Sequence, residues 1–247
     1  MGNVIILANV FEGSFTMNYE LSESTFAPIA KVTLQRGEQL RIEPGAMVYE
    51  IGEIELEGQM NTNGKKGLGG ALSALGRSVT SGESFFISTA TAHSANAMIA
   101  IAPAVPGKIF ALDVGAEHWR LNTGAFLASE ENVNYQMKRQ KLSGALLGGT
   151  GGFFVMETTG SGQILVSAFG DVEKIELDGS APVIIDNQHV IAWTSSLDYN
   201  IKVASGTFGF KTGEGVVNEF HGRGSVYIQT RNLESFASHI NTFIPNS

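Results

Sequence analysis

The chain has 247 residues, no cysteine, and 24 acidic against 16 basic residues, for a net charge of −8. Without cysteine it has no disulfide, thiolate metal ligand or thiol nucleophile, and the acidic balance argues against nucleic acid as a partner, since neutralising phosphates takes lysine and arginine. Thirty glycines, about one residue in eight against a usual ~7%, separate runs rich in β-branched and aromatic residues, the composition of an all-β body of short strands and tight turns.

Residues 1–14 read as an extension whose Val4–Leu7 can pair on a sheet edge. No basic segment precedes that apolar patch as a signal peptide requires, and the longest apolar run, 97–105, is broken by Pro103, short of the ~20 residues of a spanning helix. The expected location is the cytoplasm. Strand-like alternation begins with FTMNYEL from Phe15 and FAPIAKVTL from Phe26, and closes at the turn Arg36-Gly37-Glu38. The stretch that follows, LRIEPGAMVYE from Leu40, is echoed by WRLNTGAFLAS from Trp119 and VIIDNQHVIAW from Val183. Each echo is a pair of alternating runs around a turn. Gly45 and Gly124 stand where a positive φ favours glycine, while Gln188 predicts a different third turn. Two positions earlier, Glu43, Asn122 and Asp186 are read as turn caps rather than catalytic acids.

Glu53, Glu55 and Glu57 alternate with Ile54 and Leu56, which predicts carboxylates on a solvated strand face. Residues 63–82 then break the rhythm. They lack the Gly-Lys-Ser/Thr ending of a phosphate-binding loop, and Leu68, Ala71, Leu72 and Leu75 keep helical spacing. Counterparts lie at 142–152 and 205–215. Leu68, Leu72, Leu75, Leu142, Leu146, Leu147, Phe208 and Phe210 are the candidate docking residues of these glycine-rich segments. They form an expected apolar collar that either packs on the sheets and neighbouring subunits or stands exposed for a protein or membrane-surface partner.

After each segment comes a strand, a glycine turn and a strand, the turn glycines being Gly107, Gly162 and Gly224, 55 and 62 residues apart. That period suits a small β unit used three times in one compact body, divided at 1–115, 116–178 and 179–247. Lys138, Arg139 and Lys141 read as a solvated strand end. Finally, Leu233, Phe236, Ala237, Ile240 and Ile244 keep helical spacing between Asn232 and Pro245, predicting a short amphipathic helix that covers a sheet edge or the bottom of the core.

The five histidines, His93, His118, His189, His221 and His239, fall at no ligand spacing. His189 is read as a hydrogen-bonded structural residue, and no Gly-x-Ser-x-Gly elbow occurs. No catalytic, cofactor or metal residue is assigned, and no cofactor is expected. The first reading is a non-catalytic oligomeric scaffold or binding protein. The alternative is a hydrolase or metal-dependent jelly-roll-like enzyme whose residues meet only in space or between subunits. Units that join head to tail leave both outer ends of a chain unpaired, so a homotrimer is expected.

EPGAMVYE at 43–50, SGESFF at 81–86, APAVPGKI at 102–109, TGAFLAS at 123–129 and GSVYIQTRN at 224–232 together resemble the altered-inheritance-of-mitochondria family over roughly residues 17–232. Departures are Gln188 where that pattern has glycine, and Gly151-Gly152 where it often has an acid before the glycine. The resemblance implies a fold similar to the tryptophan RNA-binding attenuation protein. Each chain would hold three units of a shortened double-stranded β-helix, and three chains would close a pseudo-ninefold ring. It implies no established reaction and no catalytic residues, and fold analogy by itself does not license RNA binding.

Overall fold

The computed structural model describes residues 17–61, 85–140, 154–203 and 215–244. Nineteen strands and one short helix account for most of them, in four antiparallel sheets. The strands β2 (Ala30–Leu34), β3 (Gln39–Ile42), β4 (Met47–Ile51), β5 (Ile54–Asn61), β6 (Phe85–Ala92) and β7 (Ala97–Ile101) follow a brief β1 (Tyr19–Leu21). Next come β8 (Ile109–Val114), β9 (Trp119–Asn122), β10 (Phe126–Glu130), β11 (Val133–Arg139), β12 (Phe154–Gly160) and β13 (Gly162–Ser167). The last set is β14 (Val172–Asp178), β15 (Val183–Asp186), β16 (Val190–Thr194), β17 (Asp198–Val203), β18 (Val216–His221) and β19 (Arg223–Gln229), after which α1 (Leu233–Asn241) ends the described chain.

One pattern of pairing occurs in all three sets. The first strand of a set pairs with the last (β2·β7, β8·β13, β14·β19) and the second with the fifth (β3·β6, β9·β12, β15·β18). The third also pairs with the last (β4·β7, β10·β13, β16·β19), and the fourth with the fifth (β5·β6, β11·β12, β17·β18). Even the irregularities match. The third strand shifts register once against the last in every set, between Met47 and Tyr49, Phe126 and Ala128, and Val190 and Ala192. Alternating side chains fill three apolar clusters, which include Val32, Ile99 and Leu127 in the first, Phe126, Met156 and Ile164 in the second, and Trp193, Phe220 and Val226 in the third.

Several local expectations need correction. The hairpin expected across Gly107 does not form: β6 turns through His93–Asn96 into β7, and Gly107 instead precedes β8, which pairs along its length with β13. Asn96, at a φ of 54°, takes the left-handed position in that turn. Gly45 does carry a positive φ of 83°. Gly124, by contrast, lies in a 3-10 turn, as does Gln188, so the second and third echoes share a turn and the first is the odd one. A 3-10 turn keeps φ negative and accepts glutamine without strain. Asp186 caps its turn by accepting from the Gln188 N–H at 2.8 Å, whereas Asn122 makes no cap and donates to the Val190 carbonyl at 2.5 Å. The predicted helix forms with Asn232 as its N-cap, accepting from the Ser235 N–H. Yet α1 buries no residue. Among the described residues its one ring contact outside the helix is Phe236 edge-on to Phe169, centroids 5.4 Å apart, so there it does not cover the core of its own chain.

Candidate functional site

Two of the four sheets have six strands, in the orders β5-β6-β3-β10-β13-β8 and β11-β12-β9-β16-β19-β14. Both are built across the boundary between sets, because β3 pairs with β10 and β9 with β16. The two smaller sheets are β15-β18-β17 and β1-β2-β7-β4. Placed side by side with β15 against β4, they reproduce the six-strand order, with β1 added at the far edge. Each end of the chain thus carries one part of a sheet of the kind the chain completes twice internally.

Exposure marks the same two edges. β10 and β16 are buried, apart from Glu130 at the end of β10, while every residue of their counterpart β4 is exposed. Met47, Val48, Tyr49 and Ile51 are from 37% to 56% exposed, and Ile184 on β15 is 64% exposed. All the large apolar side chains left exposed among the described residues belong to the first set with its β1 segment or to the third set with α1 (Leu233, Phe236, Ile240, Phe243 and Ile244 beside that helix). The described residues of the middle set, which is flanked on both sides, include none. An edge with unpaired N–H and C=O groups and an apolar face is a template for another strand.

The internal joints show what holds such an edge. In both, an arginine at the middle of the covering strand reaches into the next set: Arg41 Nη1 donates to the Val133 carbonyl and Arg120 Nη1 to the Leu197 carbonyl at 3.1 Å. Arg120 also donates from Nε to Glu157 at 2.7 Å, and its guanidinium lies 5.6 Å from the Tyr199 ring centroid. Burial pushes the Glu157 carboxyl up. Hydrogen bonds from Lys138 and Arg120, with their charges, outweigh this and hold it below the usual carboxylate range. At the same position of β15 stands Ile184, and the partners of Glu219 among the described residues are Lys202 and His221. Those contacts hold its carboxyl low, the Lys202 hydrogen bond being the largest cause. The arginine–arginine–isoleucine series was legible in the echoes at positions 41, 120 and 184, but its meaning depends on knowing which strand each position faces.

His189 holds the turn before β16 through Nδ1 to the Gln229 carbonyl at 2.6 Å and Nε2 to Asn232 at 3.1 Å, as its lone position predicted. His93 meets Glu55 at 2.9 Å on open surface, and His221 meets Glu219 at 3.0 Å with the glutamate side chain largely buried. His118 has a buried Nδ1 with no partner. Among the described residues no three histidine, aspartate or glutamate side chains gather as a metal set, and no helix is long and apolar enough to cross a membrane. Glu53, Glu55 and Glu57 are exposed, as their alternation predicted. The candidate docking residues Leu68, Leu72, Leu75, Leu142, Leu146, Leu147, Phe208 and Phe210 lie outside the described residues.

A family model described as mitochondrial biogenesis AIM24 matches residues 19–231. The chain is 42% identical over 232 residues to a protein of Streptococcus pyogenes serotype M6 described as uncharacterised, covering 94% of this chain and 92% of that one. It is also similar to a crystal structure of a Streptococcus pyogenes protein at 41% identity and a TM-score of 0.74, over 92% of this chain and all of the other.

Proposed function

The chain belongs to the mitochondrial biogenesis AIM24 family, and from that membership we propose a non-catalytic scaffold or binding protein that assembles head to tail, three copies closing a ring. The observation that carries this reading is the divided sheet. β15 at one end and β4 at the other are the two members of a pair that occurs inside the chain as β3·β10 and β9·β16. Because the free patches differ, the contact is heterologous, and such contacts run on from copy to copy until rotation closes them. In this reading each set is one unit of a shortened double-stranded β-helix, similar to the tryptophan RNA-binding attenuation protein, and the ring holds nine.

We place this ring in the cytoplasm and read the glycine-rich segments as its binding elements. Each falls between the fourth and fifth strands of its set, so the three hold corresponding places in the order of strands. There Leu68, Leu142 and Phe208 with their neighbours would serve a protein or membrane-surface partner. Light scattering after size exclusion tests the assembly: a mass of three chains is expected, and a monomer at micromolar concentration overturns it.

A further inference from the structure

Resting on the head-to-tail reading, the register of the joint between copies follows from the two joints inside the chain. Ser129 lies opposite Arg41 in the first and Trp193 opposite Arg120 in the second. Glu50 is the counterpart of Ser129 and Trp193, for it faces Ile99 as they face Ile164 and Val226, two residues past the same register shift. Ile184 is the counterpart of the arginines, for it faces Glu219 as they face Thr89 and Glu157. We propose that β15 of one copy pairs with β4 of the next with Ile184 opposite Glu50 and Ile185 opposite Tyr49, and that Glu50 sets the strength of this joint, which closes on its protonated form.

Ser129 and Trp193 are fully buried on strands that a neighbouring set covers, while Glu50 is exposed on the lone chain. Covering β4 therefore takes a carboxylate out of water into a site its counterparts fill with a hydroxyl and an indole. On its own chain it would have Ile99 on β7, with Leu56 on β5 and Ala90 on β6 in the places of the Tyr199 and Phe220 rings that flank Trp193. Across the joint it would meet Ile184 directly and Asp186 diagonally on β15. Beyond Ile184 stands Glu219 on β18, already bonded to Lys202 of β17 and to His221. No cation stands where Arg41 and Arg120 stand in the other joints. A buried carboxylate without a counter-charge favours its neutral form, so each joint takes up a proton as it closes.

The test is the dissociation constant of the assembly, from sedimentation of the full chain between pH 8.5 and 5.5, for the native chain, Glu50→Gln, Ile184→Arg and His221→Gln. One proton per joint tightens each joint up to about tenfold per pH unit. Glu50→Gln is expected to assemble about tenfold or more tightly at pH 8.5 and to lose the pH slope. Ile184→Arg restores the arginine, tightening the joint only while Glu50 is present. His221→Gln keeps the slope. An assembly with no pH slope, or one weakened by Glu50→Gln, or a slope lost with His221→Gln instead, overturns the role of Glu50 and leaves the head-to-tail reading standing. Chains that stay monomeric at every pH and in every variant overturn that reading and this inference with it.

Discussion

Arg120→Ala measures what an arginine contributes to a joint of this kind, at one of the two joints whose sides both belong to the same chain. Its guanidinium gives one hydrogen bond to Glu157 at 2.7 Å and one to the Leu197 carbonyl at 3.1 Å, and lies against Tyr199. With side chains only 22% and 15% exposed, Arg120 and Glu157 leave little room for water to substitute. A hydrogen bond to a charged group is worth about 1.5–3 kcal/mol, and a cation over a ring about 0.5–1 kcal/mol. Lys138 keeps its bond to Glu157 in the variant and retains part of the compensation, which places the loss at about 2–3 kcal/mol. At ~2–4 °C per kcal/mol for a chain of this size, the melting temperature falls by about 4–12 °C. Urea unfolding followed by the fluorescence of Trp119 and Trp193, both in the β9·β16 joint, reads the change at fixed protein concentration. The pH dependence supplies a second check. A carboxyl held low contributes stability that is complete above its ordinary value, 4.5 for Glu157, and is lost as pH falls through the depressed one. The gap between native chain and variant therefore narrows below that value. A loss under about 0.5 kcal/mol, within the range of ordinary surface substitutions, would refute the assignment of Arg120 as the tie of the joint.

Glu130 is expected to behave in the opposite sense. Burial pushes its carboxyl up; the Gln163 N–H pulls it down, but the charges of Asp113 and Glu38 add to the rise. Its ionised form thus costs stability as pH rises above the ordinary value, and Glu130→Gln, which keeps an acceptor for Gln163, should gain up to about 1 kcal/mol near neutral pH in urea unfolding and nothing in acid. Gly107→Ala should lose about 1–3 kcal/mol or more in the same assay, since an added Cβ would lie 1.9 Å from the Ala168 carbonyl oxygen and 2.6 Å from the Gly170 nitrogen, both backbone. Ile184→Asp should leave the melting curve of the lone chain unchanged, its side chain being 64% exposed, while light scattering shows the assembly dispersed at neutral pH.

Composition and alternation carried the all-β class, the C-terminal helix and its cap, because those depend on period and on single residues. The echoes also carried the family, through short motifs in a fixed order. What they did not carry was the grouping of strands around Gly107. There GKIFALDV has the glycine and alternation of GQILVSAFG, and only the pairing of β8 with β13 tells an opening strand from a closing one. The helix was misjudged for a related reason. Spacing shows that α1 has an apolar face, but whether its own chain covers that face is a tertiary fact. The candidate interface was hidden more deeply: MVYEI on β4 has as many apolar residues as VIAWT on β16, yet one is exposed and the other buried. Burial there is set by whether a neighbouring set exists, and no local pattern records it.

An edge that waits for a partner must also reject the wrong one. With Met47, Val48, Tyr49 and Ile51 exposed, β4 would be drawn by apolar contact alone to β4 of another copy as readily as to β15. The register shift inside β4 opposes this, because the internal joints set a shifted strand against the regular strands β3 and β9, whereas β4 against itself sets shift against shift. Glu50 opposes it further. A self-pair centred on Glu50 puts two carboxylates directly opposite each other, an arrangement antiparallel sheets disfavour, while β15 presents Ile184 there. The carboxylate that makes the right joint take up a proton therefore makes this wrong one worse. In the proposed head-to-tail assembly, Glu50→Gln should show both effects at once: tighter association at high pH, and at high concentration a new population of irregular aggregates that the native chain does not form.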